Sequence, residues 1–376
     1  VELLPVHTPE GFDPLGLLKP LAAALAGEGP AVAPHVQPDQ TFGGSLPNDE
    51  IAAVISTSGS TGAPKQTMLS VDALAASAMG TAFALKAEGQ WLLTLPVHYV
   101  AGFQVLVRSL YAGTQPWVMD TSAGFTPQAF TEAATELTDR VRLTSLVPTQ
   151  LHRLLTDPSA ETLRLLRRFD AILLGGARAG APLRALARSQ DLKIVETYGM
   201  SETCGGCVYD GTPLEGVEVR SVAGRLRIGG SVLADGYLDA PELTEEKFVF
   251  NSGQRWFVTD DAGDVALDGS VTVHGRLDDV IITGALKVSA AKVSDVIQAL
   301  PGVEQAMVLG IRSEEWGTAV AVAIVGHVDA DVIRQAVHVE LGAHAVPKAI
   351  VSLDALPLLP GGKPDRRTIQ ALLERA

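Results

Sequence analysis

The chain reads as an α/β protein: a large N-terminal domain of layered β-sheets and helices with a β-rich appendage, then a small C-terminal α+β domain. Three observations predict this. Short apolar runs alternate with helical patterns through the first two thirds, the texture changes to short strands and turns from Gly224, and a fresh α/β pattern begins after Gly275-Arg276. Alternating strand and helix signals indicate sheets covered by helices, because each apolar sheet face must be buried against another layer. At 376 residues, 47% of them hydrophobic and 19% charged, the chain is too long for one ordinary core and rich enough to build two.

The strand candidates of the large domain are IAAVIST (51–57), WLLTLP (91–96), WVMD (117–120), LTSLVP (143–148), AILLGG (171–176) and KIVETYG (193–199). Between them, Pro127 to Thr138 and Pro182 to Arg188 carry helical patterns. The appendage follows as GRLRIGG and WFVTDDAGDVALDGSVTVHG, where Asp268-Gly269 is a hairpin signal. Beyond it VIITGALKVS reads as a hairpin and Ala290 to Leu300 as an amphipathic helix ended by Pro301-Gly302. AMVLGI and AVAVAIVG read as strands, and Asp331 to Leu341 as another helix. Roughly 100 residues suffice for a small domain, so the boundary is expected at Leu277-Asp278, giving domains 1–277 and 278–376.

A net charge of -14 opposes general electrostatic binding to nucleic acid or anionic lipid, so an anionic substrate must be held by a local cluster of donors. The longest uncharged run, Trp91 to Val107, is interrupted by Pro96 and His98 and falls short of a membrane span. Two cysteines, Cys204 and Cys207, are too few for a disulfide framework. Without a second Cys or His pair they read as ordinary side chains in a reducing compartment. The N-terminal stretch lacks the basic start of a signal peptide, and a cytoplasmic protein is expected.

The strongest local signal is Thr57-Ser58-Gly59-Ser60-Thr61-Gly62-Ala63-Pro64-Lys65, directly after a buried-looking strand. Its glycines let the backbone approach a ligand, and its hydroxyls and exposed N–H groups can donate to phosphate oxygens. Lys65 adds a positive charge. Gly59 and Gly62 are three apart and Pro64 precedes the lysine, which departs from the Walker spacing and argues against a P-loop kinase or GTPase. On this segment alone, the alternative is a polar turn with no ligand.

TSGSTGAPK resembles the signature loop of the adenylate-forming superfamily, which includes acyl-CoA and aryl-CoA ligases, peptide-synthetase adenylation domains and luciferases. Further segments resemble the family's motifs in the family's order across residues 51–367. Glu196-Thr197-Tyr198-Gly199-Met200-Ser201-Glu202-Thr203 is similar to its aromatic-Gly-x-Thr-Glu motif, with Ser201 in place of threonine. The resemblance implies that Tyr198 stacks on adenine beside Thr197 and Gly199, that Ser201 contacts the α-phosphate, and that Glu202 supplies a carboxylate to Mg2+. That ion prefers oxygen ligands shared between one or two carboxylates and substrate phosphates. Gly175-Gly176-Ala177 resembles the segment lining the adenine and acid pocket, and Met200 is expected against the acid. Trp256 to Asp261 resembles a segment ending in Thr-Gly-Asp, so Asp261 takes the ribose role and Asp260 stands at the glycine position. Gly275-Arg276-Leu277-Asp278-Asp279 is similar to the interdomain segment, with Arg276 on ribose or phosphate and Asp278 as hinge. Pro360-Gly361-Gly362-Lys363-Pro364-Asp365-Arg366 resembles the C-terminal motif whose lysine, here Lys363, reaches the reacting centre.

By the same resemblance the chain consumes ATP and CoA. The acid first attacks the α-phosphate, with Lys65, Thr57, Ser60 and Thr61 on the phosphates and Lys363 at the reacting atoms. The small domain then rotates about Asp278 and presents Gly284 to Lys287 near the CoA tunnel. Two features narrow the acid. The chain is short for the superfamily, with its phosphate loop already at residue 57, and so resembles the short o-succinylbenzoate-CoA ligases of menaquinone biosynthesis. The segment from Pro96 through His98, Tyr99 and Gly102 corresponds to the family's Pro-Leu-Phe-His-x-x-Gly. On the helix that starts near Ala101, Arg108 stands among Val105, Leu106, Val107 and Leu110. A buried charge needs a partner. The second carboxylate of o-succinylbenzoate would be one, and a protein acid is the alternative. Other aryl- or fatty-acyl-CoA ligases, a carrier-protein-loading enzyme and a noncatalytic nucleotide-binding module remain open, and the reading admits a homodimer.

Overall fold

The run IAAVIST forms the strand Ile51–Thr57, whose first five residues are buried, as a continuous apolar run inside a covered sheet should be. In the computed structural model, which describes residues 2–43, 45–57, 65–122, 124–283, 286–313, 316–359 and 364–376, this strand is central to the first sheet. Its order is Leu3–His7, Ala31–His35, Ile51–Thr57, Lys65–Ser70, Gly236–Tyr237. The first three strands are parallel and the rest antiparallel. The two N-terminal strands were not among the expectations. Pro5 and Pro34 lie within them, and proline, which cannot donate to a ladder, hides a strand signal.

The second sheet runs Thr212–Pro213, Gly205–Tyr209, Ile194–Met200, Ala171–Leu174, Arg142–Leu146, Gln90–Leu93, Trp117–Val118. From Ile194–Met200 onward the strands are parallel, and all arise at or within a residue of the predicted apolar runs. The helices Val71–Leu85 and Val100–Tyr111 pack between the first two sheets around Leu74, Trp91, Phe103, Val105 and Leu106. The opposite face is closed by Pro127–Thr135, Pro148–Leu155 and Ala181–Ser189 over Phe130, Leu151, Phe169 and Ile172. The appendage is an antiparallel sheet in which Val217–Val222, Arg225–Gly230, Gln254–Val265 and Phe248–Asn251 lie side by side, with Val271–Arg276 paired to the long strand. Asp268-Gly269 forms the expected turn, with Gly269 at φ 85°.

Beyond Arg276 a single turn, Leu277–Asp279, leads to the hairpin Val280–Thr283/Leu286–Ser289 and to a sheet of Val303–Ser313, Gly317–Gly326 and Ala349–Leu353. The run AVAVAIVG shows why this sheet is covered on both sides. Val320, Val322 and Ile324 pack on Val293, Ile297, Ile333 and Val337 of the helices Ala290–Gln298 and Ala330–Leu341. The intervening Ala321, Ala323 and Val325 pack on Ile369 and Leu373 of Arg366–Leu373. Among the described residues, the buried clusters before residue 274 and after residue 280 share no member. The two regions meet through polar contacts instead: Arg178 pairs with Asp295 at 3.0 Å, and His152 lies 3.7 Å from Glu304.

Candidate active site

In open α/β sheets ligands bind beyond the carboxyl ends of the parallel strands, and several of the expected site residues stand at such ends. Thr57 closes one strand of the first sheet and Lys65 opens the next, directly paired across the hairpin. Ser58, Gly59, Ser60, Thr61 and Gly62 lie outside the described residues. The second sheet contributes Gly175, Gly176 and Ala177 after Leu174, and Thr197 to Met200 at the end of its neighbour. Gly199 has no room for a side chain, since a Cβ would collide with the carbonyl of Gly205 on the adjacent strand. Gly102 is similarly pressed against the carbonyls of Leu95 and Pro96, which seats the first turn of the helix Val100–Tyr111 against that loop.

Ser201 and Glu202 follow in the short turn Ser201–Thr203 and are both buried. The Glu202 carboxylate accepts a 2.8 Å hydrogen bond from the hydroxyl of Tyr237. Lys65 Nζ lies 5.5 Å from the centre of the same Tyr237 ring. Tyr237 was not a candidate from the sequence. It arrives through pairing of Gly236–Tyr237 with Met68 and Thr67, and nothing local in GYL signals that contact. Burial and the neighbouring Glu202 push the Tyr237 phenol well above its ordinary range, so it stays protonated and donates.

Tyr198 and Asp261 also meet, the tyrosine hydroxyl donating to Asp261 Oδ2 at 2.7 Å. Burial raises the Asp261 carboxyl, and the hydrogen bond from Tyr198 and the charge of Arg276 only partly counter it. Arg276 pairs with Asp261 in register across the strands. Its side chain makes two hydrogen bonds to Asp278, at 2.7 and 3.0 Å, so the expected ribose ligand and the expected hinge residue are joined. Asp260, in the glycine position of the motif, is not left-handed. Its carboxylate is held by Lys247 at 2.9 Å and Arg225 at 3.4 Å, which accounts for an acid at that place.

Among the residues expected to meet the acid, His98 Nδ1 lies 3.2 Å from Thr8 Oγ1, and its ring centre lies 4.4 Å from that of Tyr99 with the planes tilted by 53°. Burial, with His35 adding, lowers the His98 pKa to about 4, so the ring is neutral near pH 7. Thr8 donates to the His35 carbonyl at 3.0 Å. Its hydroxyl therefore accepts from His98 Nδ1–H, leaving Nε2 as a buried acceptor with no partner. Arg108 is 7% exposed. Its guanidinium lies 5.2 Å from the Trp91 ring centre and donates to the Tyr209 hydroxyl at 3.4 Å, while its Nε has no partner. Among the described residues no carboxylate comes within ion-pair distance of it. A small cleft lined by Thr81, Glu88, Trp91, Arg108, Tyr111 and Leu143 adjoins this group, with Glu88 outside ion-pair distance of the guanidinium.

Cys204 and Cys207 are free and fully buried, and burial pushes the Cys207 thiol up to about 12, as expected of inert side chains. Lys287 is exposed on the hairpin that follows Asp278, and Gly284 and Lys363 lie outside the described residues. Among the described residues no three His, Cys, Asp or Glu side chains form a metal cluster. A lone carboxylate such as Glu202 suits an ion that takes most of its ligands from phosphates and water. No helix of the described chain is long and apolar enough to cross a membrane.

Residues 19–237 match the family described as AMP-binding enzyme, and residues 292–363 match its C-terminal domain. A Mycobacterium tuberculosis protein described as a probable 2-succinylbenzoate–CoA ligase is 38% identical over 97% of this chain and 97% of its own length. The Escherichia coli 2-succinylbenzoate–CoA ligase is 32% identical over 69% of this chain and 55% of its own length. The Bacillus subtilis o-succinylbenzoate CoA synthetase, solved with its acyl-adenylate intermediate, superposes with a TM-score of 0.72 at 26% identity, covering 85% of this chain and 69% of that one. The chain belongs to the AMP-binding, adenylate-forming enzyme family, and within it to the group that contains the 2-succinylbenzoate–CoA ligases.

Proposed function

We propose that this protein is an o-succinylbenzoate-CoA ligase, forming an acyl-adenylate from the acid and ATP and then a thioester with CoA. Arg108 carries the reading of the substrate: a nine-tenths buried guanidinium without an acidic partner is costly unless an anion completes it. A dicarboxylate brings that anion, and the similarity to the Mycobacterium tuberculosis protein supports the choice. His98, Tyr99, Gly102, Gly175 and Met200 form the rest of the acid site in this reading.

In the first half-reaction a substrate carboxylate oxygen bonds to the α-phosphorus and pyrophosphate leaves. Thr57, Lys65 and the loop between them hold the phosphates, Ser201 contacts the α-phosphate, and Lys363 stabilises charge at the reacting centre. Tyr198 and its neighbours Gly176, Ala177, Thr197 and Gly199 take the adenine, and Asp261 and Arg276 take the ribose. Glu202 would hold Mg2+ together with the nucleotide phosphates, where the ion neutralises phosphate charge. In the second half-reaction the CoA sulfur attacks the acyl carbon and AMP leaves. Residues 278–376 act as a separate domain that turns about Asp278, bringing Gly284 and Lys287 toward CoA. The reading places the enzyme in the cytoplasm, in keeping with two free cysteines.

The test is pyrophosphate release and thioester formation with o-succinylbenzoate beside benzoate and a medium-chain fatty acid. The reading predicts a strong preference for o-succinylbenzoate and a requirement for CoA in multiple turnover. Preference for either other acid, or full turnover without CoA, contradicts it.

A further inference from the structure

We propose that Tyr237 is a positioning residue that orients Glu202 toward the metal. The proposal rests on the reading of Glu202 as the carboxylate for Mg2+. Three contacts carry it. The Tyr237 hydroxyl donates to Glu202 Oε1 at 2.8 Å in a buried setting, which occupies one carboxylate oxygen and directs the other to a ligand. The Ala234 amide donates to the Glu202 carbonyl at 2.9 Å, tying the turn that carries the glutamate to the segment that carries the tyrosine. Lys65 Nζ lies 5.5 Å from the Tyr237 ring centre, so the phenol stands between the phosphate-loop lysine and the glutamate.

The segment itself is anchored. Arg255 donates to the carbonyls of Ala234 and Asp235, each at 2.7 Å, and the Asp235 and Leu238 amides donate to Met68 and Gln66 on the strand that begins with Lys65. The Tyr237 amide donates to Thr244 Oγ1 at 2.9 Å. With its backbone anchored in this way and its ring buried edge-on to Phe248 at 5.8 Å, the tyrosine is held in one rotamer by packing. It holds the glutamate in one orientation before the ligand arrives, the usual task of a group hydrogen-bonded behind a metal ligand.

The experiment uses the full chain with α,β-methylene ATP and Mn2+ as a paramagnetic stand-in, reading bound metal by electron paramagnetic resonance. It also measures the metal concentration for half-maximal adenylation and the metal-free Tm. Tyr237→Phe keeps the ring under Lys65 and removes only the hydroxyl. It is expected to weaken Mn2+ binding roughly tenfold and to raise the half-maximal metal concentration by a similar factor, with the KM for the acid unchanged. Glu202→Gln is expected to weaken Mn2+ binding further, and adding Tyr237→Phe to it should produce no additional loss. Wild-type Mn2+ binding in Tyr237→Phe beside a loss in Glu202→Gln overturns the positioning role and leaves Glu202 as the metal ligand. Wild-type binding in Glu202→Gln overturns both. A loss in Tyr237→Phe that recurs in full on the Glu202→Gln background also overturns the role, because the tyrosine then acts through something other than the glutamate.

Discussion

At the corner where Tyr198, Asp261 and Arg276 meet, polar groups are held by other groups of the chain, whereas residues 98–109 bury four polar atoms without a partner. Tyr198 is bonded to Asp261, Arg276 to Asp278, and nearby Glu202 to Tyr237. The unpaired atoms are His98 Nε2, Gln104 Oε1, Arg108 Nε and Ser109 Oγ, four of the nine found among the described residues. An unmet buried polar group costs about 1–3 kcal/mol. A site for ATP, common to every acid in the family, can be built in advance from the chain's own contacts. On the proposed function, the unpaired atoms of His98 and Arg108 are left open for the acid, and the ligand that satisfies them recovers what folding gave up. Specificity then follows, because an acid without the second carboxylate leaves the buried cation unmatched.

Lys363→Ala gives the largest effect expected. Adenylation measured by pyrophosphate release should fall by roughly two to three orders of magnitude, while thioester formation from supplied acyl-adenylate should remain near normal. Equal losses in the two half-reactions would overturn its assignment to the adenylation step. Asp278→Pro should preserve adenylation and slow CoA-thioester formation about tenfold or more, since a fixed φ obstructs rotation at that residue. It also removes the partner of Arg276, so a rise in the KM for ATP alone would mean that the residue serves the nucleotide corner and not the hinge.

Asp261→Asn sharpens the comparison from the preassembled side. Several-fold weaker ATP binding is expected by calorimetry, together with a more stable free enzyme at pH 8. The sign follows from the raised carboxyl: the protonated form favours the folded state, and that advantage is lost as pH rises through the folded pKa. The Tm gap between variant and wild type should therefore narrow toward acid pH. A destabilised variant at pH 8 would show that the carboxylate is structural. The smallest effect belongs to His98→Phe, which places phenylalanine where the family motif commonly has it. His98 has a folded pKa of about 4 against an ordinary 6.5, so its stability contribution is present above pH 6.5 and lost as pH falls toward 4. The variant should flatten that limb of the Tm profile, and an unchanged slope would assign the acid sensitivity to another group.

The residues proposed for the nucleotide stood out because strand end and motif share one short segment, as in Lys65 after its loop or Tyr198 to Glu202. Contacts made by long-range pairing did not. Tyr237 meets Glu202 only because Gly236–Tyr237 adds a short strand beside Lys65–Ser70. Arg108 was read as needing a partner, but helix-on-sheet packing decides that Trp91 and Tyr209 flank it. Arg276 and Asp278 were read as separate parts, and the single turn Leu277–Asp279 brings them together. The first two strands stayed hidden behind Pro5 and Pro34, although they carry Thr8 and His35 to His98.

The central claim is that the substrate's second carboxylate completes Arg108, and kcat/KM for o-succinylbenzoate and for benzoate on wild type and Arg108→Ala tests it most directly. Losing a charge-assisted hydrogen bond from a buried site costs about 2 kcal/mol, roughly a thirtyfold fall in kcat/KM for o-succinylbenzoate. The KM for ATP and the activity on benzoate should change little. Equal losses on both acids in a variant that melts like wild type would make Arg108 a packing residue and contradict the account.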